Sequence, residues 1–160
     1  HLAAANNAMN ALKVLLAHGV DLTARSKSDY RYVPTGEDLR RGLDKVIPQP
    51  ENKFEAWTAL HWAARYGKLE AALALIKAGA ATNITDHYGN TPLHLVIVYA
   101  QRDRRGNVKD RAIELIEKLT AHSDGAMMKE NYDGWTPLDA ARARKLPEEL
   151  ISKINRATWR

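Results

Sequence analysis

The chain has no cysteine and a single phenylalanine among its 160 residues. Without cysteine there can be no disulfide framework, no thiol nucleophile and no thiolate-bound zinc. Six prolines and nine glycines are too few for a collagenous or low-complexity chain. No apolar run approaches the roughly 18 residues that suggest a membrane span, so no transmembrane segment is expected. Also missing are a glycine-rich phosphate loop with lysine, a nucleophile elbow and a zinc-protease motif. The expectation is therefore no catalytic residue, no cofactor, no metal site and no enzyme activity of its own. A strong excess of one charge is absent too: 24 basic residues face 19 acidic ones, a net charge of +5. That balance suits a mixed hydrated surface. With no recognised nucleic-acid motif beside it, a nucleic-acid partner is disfavoured.

What is present is a phrase repeated at a fixed interval. Thr58-Ala59-Leu60-His61-Trp62-Ala63-Ala64 returns as Thr91-Pro92-Leu93-His94-Leu95, and His61 and His94 stand 33 positions apart. Thr136-Pro137-Leu138-Asp139-Ala140-Ala141 is a further copy, and His1-Leu2-Ala3-Ala4 reads as the tail of another. Phrase and period together resemble the ankyrin repeat. The resemblance implies an all-α solenoid of about four helix-turn-helix repeats, joined by short β-hairpin-like fingers and stacked so that each pair covers its neighbour's apolar side. It also implies a structural role for His61 and His94, bonding to the threonine of their own turn and bridging repeats.

The expected organisation is one domain over 1–160, with repeats at about 1–25, 53–85, 86–130 and 131–160. Met9, Leu12, Leu15 and Leu16 recur at helical spacing in repeat one, and Gly19 ends that helix. Thr58 and Thr91 are expected N-caps, with Pro92 at the first helical position. The β-branched Val96 and Ile97 weaken local helix propensity, so packing must supply the rest. Spacing between copies is uneven. From His1 to His61 there are 27 residues beyond one period, and from Thr91 to Thr136 there are 12. The excess is assigned to insertions at about 26–52 and 100–107. The first contains a candidate helix from Glu37 to Val46, capped by Thr35. The array is expected to be incomplete at its N-terminus, with the first helix of repeat one beginning upstream of His1 and upstream chain, or a partner, covering Leu2 and Leu15.

Matching the chain to the family residue by residue places Phe54, Glu55 and Trp57 on the finger before repeat two. It places His87, Tyr88 and Asn90 before repeat three, and Tyr132, Asp133 and Trp135 before repeat four. Arg65, Tyr66, Tyr99 and Arg144 fall at the exposed ends of the first helices. Arrays of this kind contact partners through such positions, and Trp, Tyr and Arg are enriched at binding hot spots. Packing between neighbouring fingers is the competing reading for Trp57 and Trp135; Trp62 takes a core position. Arg102, Arg104 and Arg105 form a basic cluster able to clamp an acidic peptide or a phosphate. Asp103 and Asp110 dilute it, so a solvated loop is the expected reading.

The resulting expectation is a monomeric protein–protein interaction module in the cytoplasm, or in a host's cytoplasm if the chain is a secreted effector. One alternative is the accessory recognition domain of a larger enzyme or secreted bacterial effector whose active part lies upstream. Another is a basic-patch binder of nucleic acid or anionic membrane.

Overall fold

The computed structural model describes residues 1–26, 56–123 and 125–158. The expected helix at 37–46, and Phe54 and Glu55, lie outside the described residues. Eight α-helices occur among them: α1 (Leu2–Ala5), α2 (Met9–Ala17), α3 (Ala59–Arg65), α4 (Leu69–Lys77), α5 (Pro92–Val98), α6 (Asp110–Ala121), α7 (Pro137–Ala143) and α8 (Glu148–Thr158). A 3-10 turn, Ala126–Met128, follows α6. The odd-numbered helices pack in succession as one layer and the even-numbered helices as a second, each pair touching the next. Among the described residues there is no strand, only an isolated antiparallel bridge between Arg102 and Val108. No described helix is long and apolar enough to cross a membrane.

Local chemistry sets where the first helices begin. Thr58, Thr91 and Thr136 sit in extended backbone and each opens a reciprocal capping box with the residue three positions on, satisfying amides that a helix start leaves unpaired. Close stacking follows from small side chains: Ala63, Ala64, Ala71, Ala72, Ala140 and Ala141 are all buried. Helix α5 is buried at every position from Pro92 to Ile97, with α3 on one side, α7 on the other and α6 behind. A helix enclosed on all sides needs apolar residues all round, and this burial outweighs the weak helix propensity of Val96 and Ile97. Repeat one is less enclosed. Leu12 is buried, but Leu15, expected on the same inner face, is 44% exposed, beside exposed Leu2 and Val14.

The turn from first to second helix requires a left-handed residue. Gly67 fills it in repeat two with φ 61°, and the equivalent residues in repeats one and four are Asn7 (φ 56°) and Lys145 (φ 50°). Glycine adopts this geometry freely and asparagine tolerates it; other L-residues lose roughly 1–2 kcal/mol there. Asn7 also ties repeat one to repeat two, donating through Nδ2 to Glu70 and accepting from the Ala71 amide. In repeat three Ala100 occupies the position, and the chain leaves at once into the 101–108 insertion.

Candidate functional site: the finger row

The fingers before repeats three and four are five-residue turns, each closed by its first side chain. In Asp86-His87-Tyr88-Gly89-Asn90, Asp86 Oδ1 accepts from the amides of Tyr88 and Asn90, both at 2.8 Å. The Asp86 amide donates to the Asn90 carbonyl at 2.8 Å and the Gly89 amide to the Asp86 carbonyl at 3.1 Å. Asn131-Tyr132-Asp133-Gly134-Trp135 repeats the pattern, with Asn131 Oδ1 accepting from the amides of Asp133 and Trp135. The two turns are then locked together. The Tyr132 amide donates to the Tyr88 carbonyl at 2.9 Å, and Asn131 Nδ2 donates to Asn90 Oδ1 at 3.0 Å. Gly89 makes the approach possible: a Cβ there would stand 3.0 Å from Asn131 Cα and 3.1 Å from the Tyr132 nitrogen.

The finger before repeat two is assembled from two distant pieces. Ser26 takes the place of Asp86 and Asn131, its amide donating to the Trp57 carbonyl and its carbonyl accepting from the Ala56 amide. Ser26 Oγ accepts from the Trp57 amide at 3.2 Å, and Ala56 adopts φ 65° where the other fingers have glycine. The chain from 27 to 55 therefore leaves and rejoins at a fingertip, where the other two fingers have only two residues.

Histidine welds the row to the helices behind it. His61 Nδ1 accepts from the Thr58 amide at 3.2 Å, which leaves the proton on Nε2, and Nε2 donates to the Asn90 carbonyl at 3.1 Å. His94 does the same between the Thr91 amide and the Trp135 carbonyl. Both rings are fully buried. Burial pushes His61 down to about 4, against the partly offsetting Asn90 carbonyl, and lowers His94 for the same reason. The structural role implied for these histidines is what the geometry shows. Asp139 reproduces only the local half, accepting from the amide and hydroxyl of Thr136; those bonds hold its carboxyl below the usual range.

The expected contact residues separate into two sets. His87, Tyr88, Tyr132, Asp133 and Trp135 are exposed on the fingertips, with Tyr132 reaching 80%. Trp57 is a correction: it is buried, its ring edge-on to Trp62 at 5.2 Å and its Nε1 donating to Asp86 Oδ2 at 3.1 Å. An indole N–H taken from water needs an acceptor, and the buried carboxylate of the next finger supplies it. Asn90 braces the row, its side chain engaged by Asp86 and Asn131. At the far end of the first helices the Arg65 guanidinium lies 3.5 Å from the centroid of the Tyr99 ring, a close cation–π contact. Tyr66 stacks on Trp62 at 5.9 Å and stays partly exposed.

Successive two-helix units, a single continuous core and linked turns along one edge define a helical repeat solenoid. Residues 39–104 match the family model of ankyrin repeats (3 copies). Over 98 residues, 61% of this chain, the sequence is 38% identical to human neurogenic locus notch homolog protein 1 and 34% identical to its Xenopus laevis counterpart. The matched stretch covers 3% of each of those proteins. Over residues 39–104 the chain is therefore similar to ankyrin repeat proteins. Repeats of this family are in general protein–protein interaction modules and non-catalytic.

Proposed function

We propose that this chain binds a protein partner through its fingertips, with Tyr88, Tyr132 and Trp135 as anchors and His87 and Asp133 beside them, and performs no chemistry itself. The observation that carries the reading is a row of exposed aromatics on turns whose backbones are fixed by hydrogen bonds. Tyr88 and Tyr132 project from turns that are closed internally and joined by the Tyr132–Tyr88 backbone bond. Turns braced this way have little backbone freedom left to lose on docking, and preorganisation is a main source of affinity at interfaces. Arg65, Tyr66 and Tyr99 extend the surface toward the other end of the first helices.

Site-directed photo-crosslinking tests this reading. A photoreactive residue at position 132 should capture a partner, whereas the same residue at Lys118, exposed on α6, should not. Capture at 118 alone would move the interface to the opposite layer.

A further inference from the structure

The insertion in repeat three carries a second copy of the fingertip turn at the wrong end of the helix. Asp103-Arg104-Arg105-Gly106-Asn107 spells the pattern of Asp86-His87-Tyr88-Gly89-Asn90. Its bonds correspond one for one. Asp103 Oδ1 accepts from the amides of Arg105 and Asn107 at 2.8 and 2.9 Å, and Asn107 Nδ2 donates to Asp103 Oδ2 at 3.3 Å, as Asn90 does to Asp86. The Asp103 amide reaches the Asn107 carbonyl at 2.8 Å and the Gly106 amide reaches the Asp103 carbonyl at 3.1 Å. The turn follows α5, whereas the true fingers precede first helices, so it projects from the opposite edge of the array. In place of His87 and Tyr88 its tip carries Arg104 and Arg105.

The turn is fixed against the next repeat. Arg102 donates through Nη1 to the Gly106 carbonyl at 2.6 Å and through Nη2 to the Arg144 carbonyl at 2.5 Å. One guanidinium thus holds the backbone beside Arg105 against the backbone beside Lys145. Arg104, Arg105, Arg144 and Lys145 are all exposed. Among the described residues no carboxylate comes within 4.0 Å of any of them; the ion pairs there join Arg111 to Glu70, and Lys153 to Glu117 and Glu149. Both oxygens of Asp103 are engaged inside the turn. Lys145 adds an independent observation: it occupies a left-handed position filled by Gly67 in repeat two. A strained, charged residue in place of glycine is a local cost that a binding role explains.

We propose that this opposite edge is a second docking surface, in which Arg104 and Arg105 on the transposed fingertip, with Arg144 and Lys145, grip a carboxylate-rich peptide segment of a protein partner. The inference rests on reading the chain as a protein-binding array and adds a partner chemistry to it, at the end of the first helices where Tyr66 and Tyr99 also lie. Guanidinium forks match carboxylates in bidentate geometry. The cluster is compact, its two halves within reach of one arginine. Nucleic acid would instead need phosphate contacts repeated along a strand, and exposed Asp110 and Glu114 flank the cluster in the chain.

The test is fluorescence anisotropy of a labelled Glu-rich peptide with the 160-residue chain at low salt. The double variant Arg104→Glu, Arg105→Glu should weaken binding roughly tenfold or more through lost and reversed charge pairing, with Tm unchanged because the turn bonds use Asp103 and the backbone. Lys145→Gly should weaken binding while raising Tm, a pair of opposite effects that a purely structural residue would not show. Tyr88→Ala with Tyr132→Ala should leave peptide binding intact. If that variant alone abolishes it, the acidic segment sits on the true fingers, which overturns this proposal and spares the finger reading. No binding by wild type, equal binding by the Glu variant, or tighter binding of an oligonucleotide or anionic vesicle of matched charge would also overturn it.

Discussion

His61 shows how much one side chain contributes here. Its two nitrogens satisfy a helix start and a neighbouring finger at once, and only the neutral ring can do both, because Nδ1 must accept while Nε2 donates. The folded chain holds His61 near 4, whereas an unfolded histidine titrates near 6.5. As pH falls through 6.5 the unfolded state takes the proton first, so stability falls with it. The contribution is complete above about 6.5 and lost on descending to about 4, roughly 3 kcal/mol for His61 at 1.4 kcal/mol per pH unit. His94, shifted the same way, adds to that slope. Asp139 is lowered and contributes in the carboxylate range beneath; its benefit is present above its unfolded value and lost below. Urea unfolding from pH 7.5 to 4.5 should show the midpoint dropping steadily. A flat profile would mean that the folded array accommodates charged imidazoles.

At the scale of the element, one turn serves two unlike purposes. Asp86 and Asp103 close identical loops, but Asp86 is buried and also receives the Trp57 indole, while Asp103 lies in the solvent. Asp86→Ala leaves buried donors unmet and should cost roughly 2–4 kcal/mol. Asp103→Ala should cost about 1 kcal/mol or less, since water replaces the lost acceptor. Chemical denaturation of both variants checks the contrast, and hydrogen exchange should show faster exchange at Arg105 and Asn107 in the second. How far these turns were legible in the sequence depended on distance along the chain. The caps were legible because Thr and His stand three residues apart, within one helical turn. The transposed fingertip is legible in the pattern Asp-x-x-Gly-Asn, which occurs at 86 and again at 103, but its arginine tip and its place after a first helix are unlike those of the other fingers. Trp57 was misplaced because its indole partner lies 29 residues away. Ser26 was missed because serine is not the residue the other fingers use and its partners lie beyond the insertion.

For the whole molecule, the position of the long insertion matters more than its length. Its two ends meet at the bonded pair Ser26 and Ala56, so the array closes across it as it does across the two-residue tips His87-Tyr88 and Tyr132-Asp133. Replacing 27–55 with a two-residue tip should leave the stack folded, with helical circular dichroism retained and Tm within a few degrees, because a shorter closed loop costs less chain entropy. A large loss of Tm would mean that the stack leans on the segment removed. The same variant separates affinity from stability: a partner lost with Tm kept would assign recognition to the fingertip insertion.

The direction of the histidine links has a consequence for synthesis. His61 reaches forward to Asn90 and His94 forward to Trp135, so each helix pair is completed by chain that the ribosome makes later. At about 5–20 residues per second the 29 residues from His61 to Asn90 take roughly 1.5–6 s to appear. During that interval the His61 ring has its cap and lacks its weld. Each of these repeats thus carries a bond that only the chain of its successor can complete.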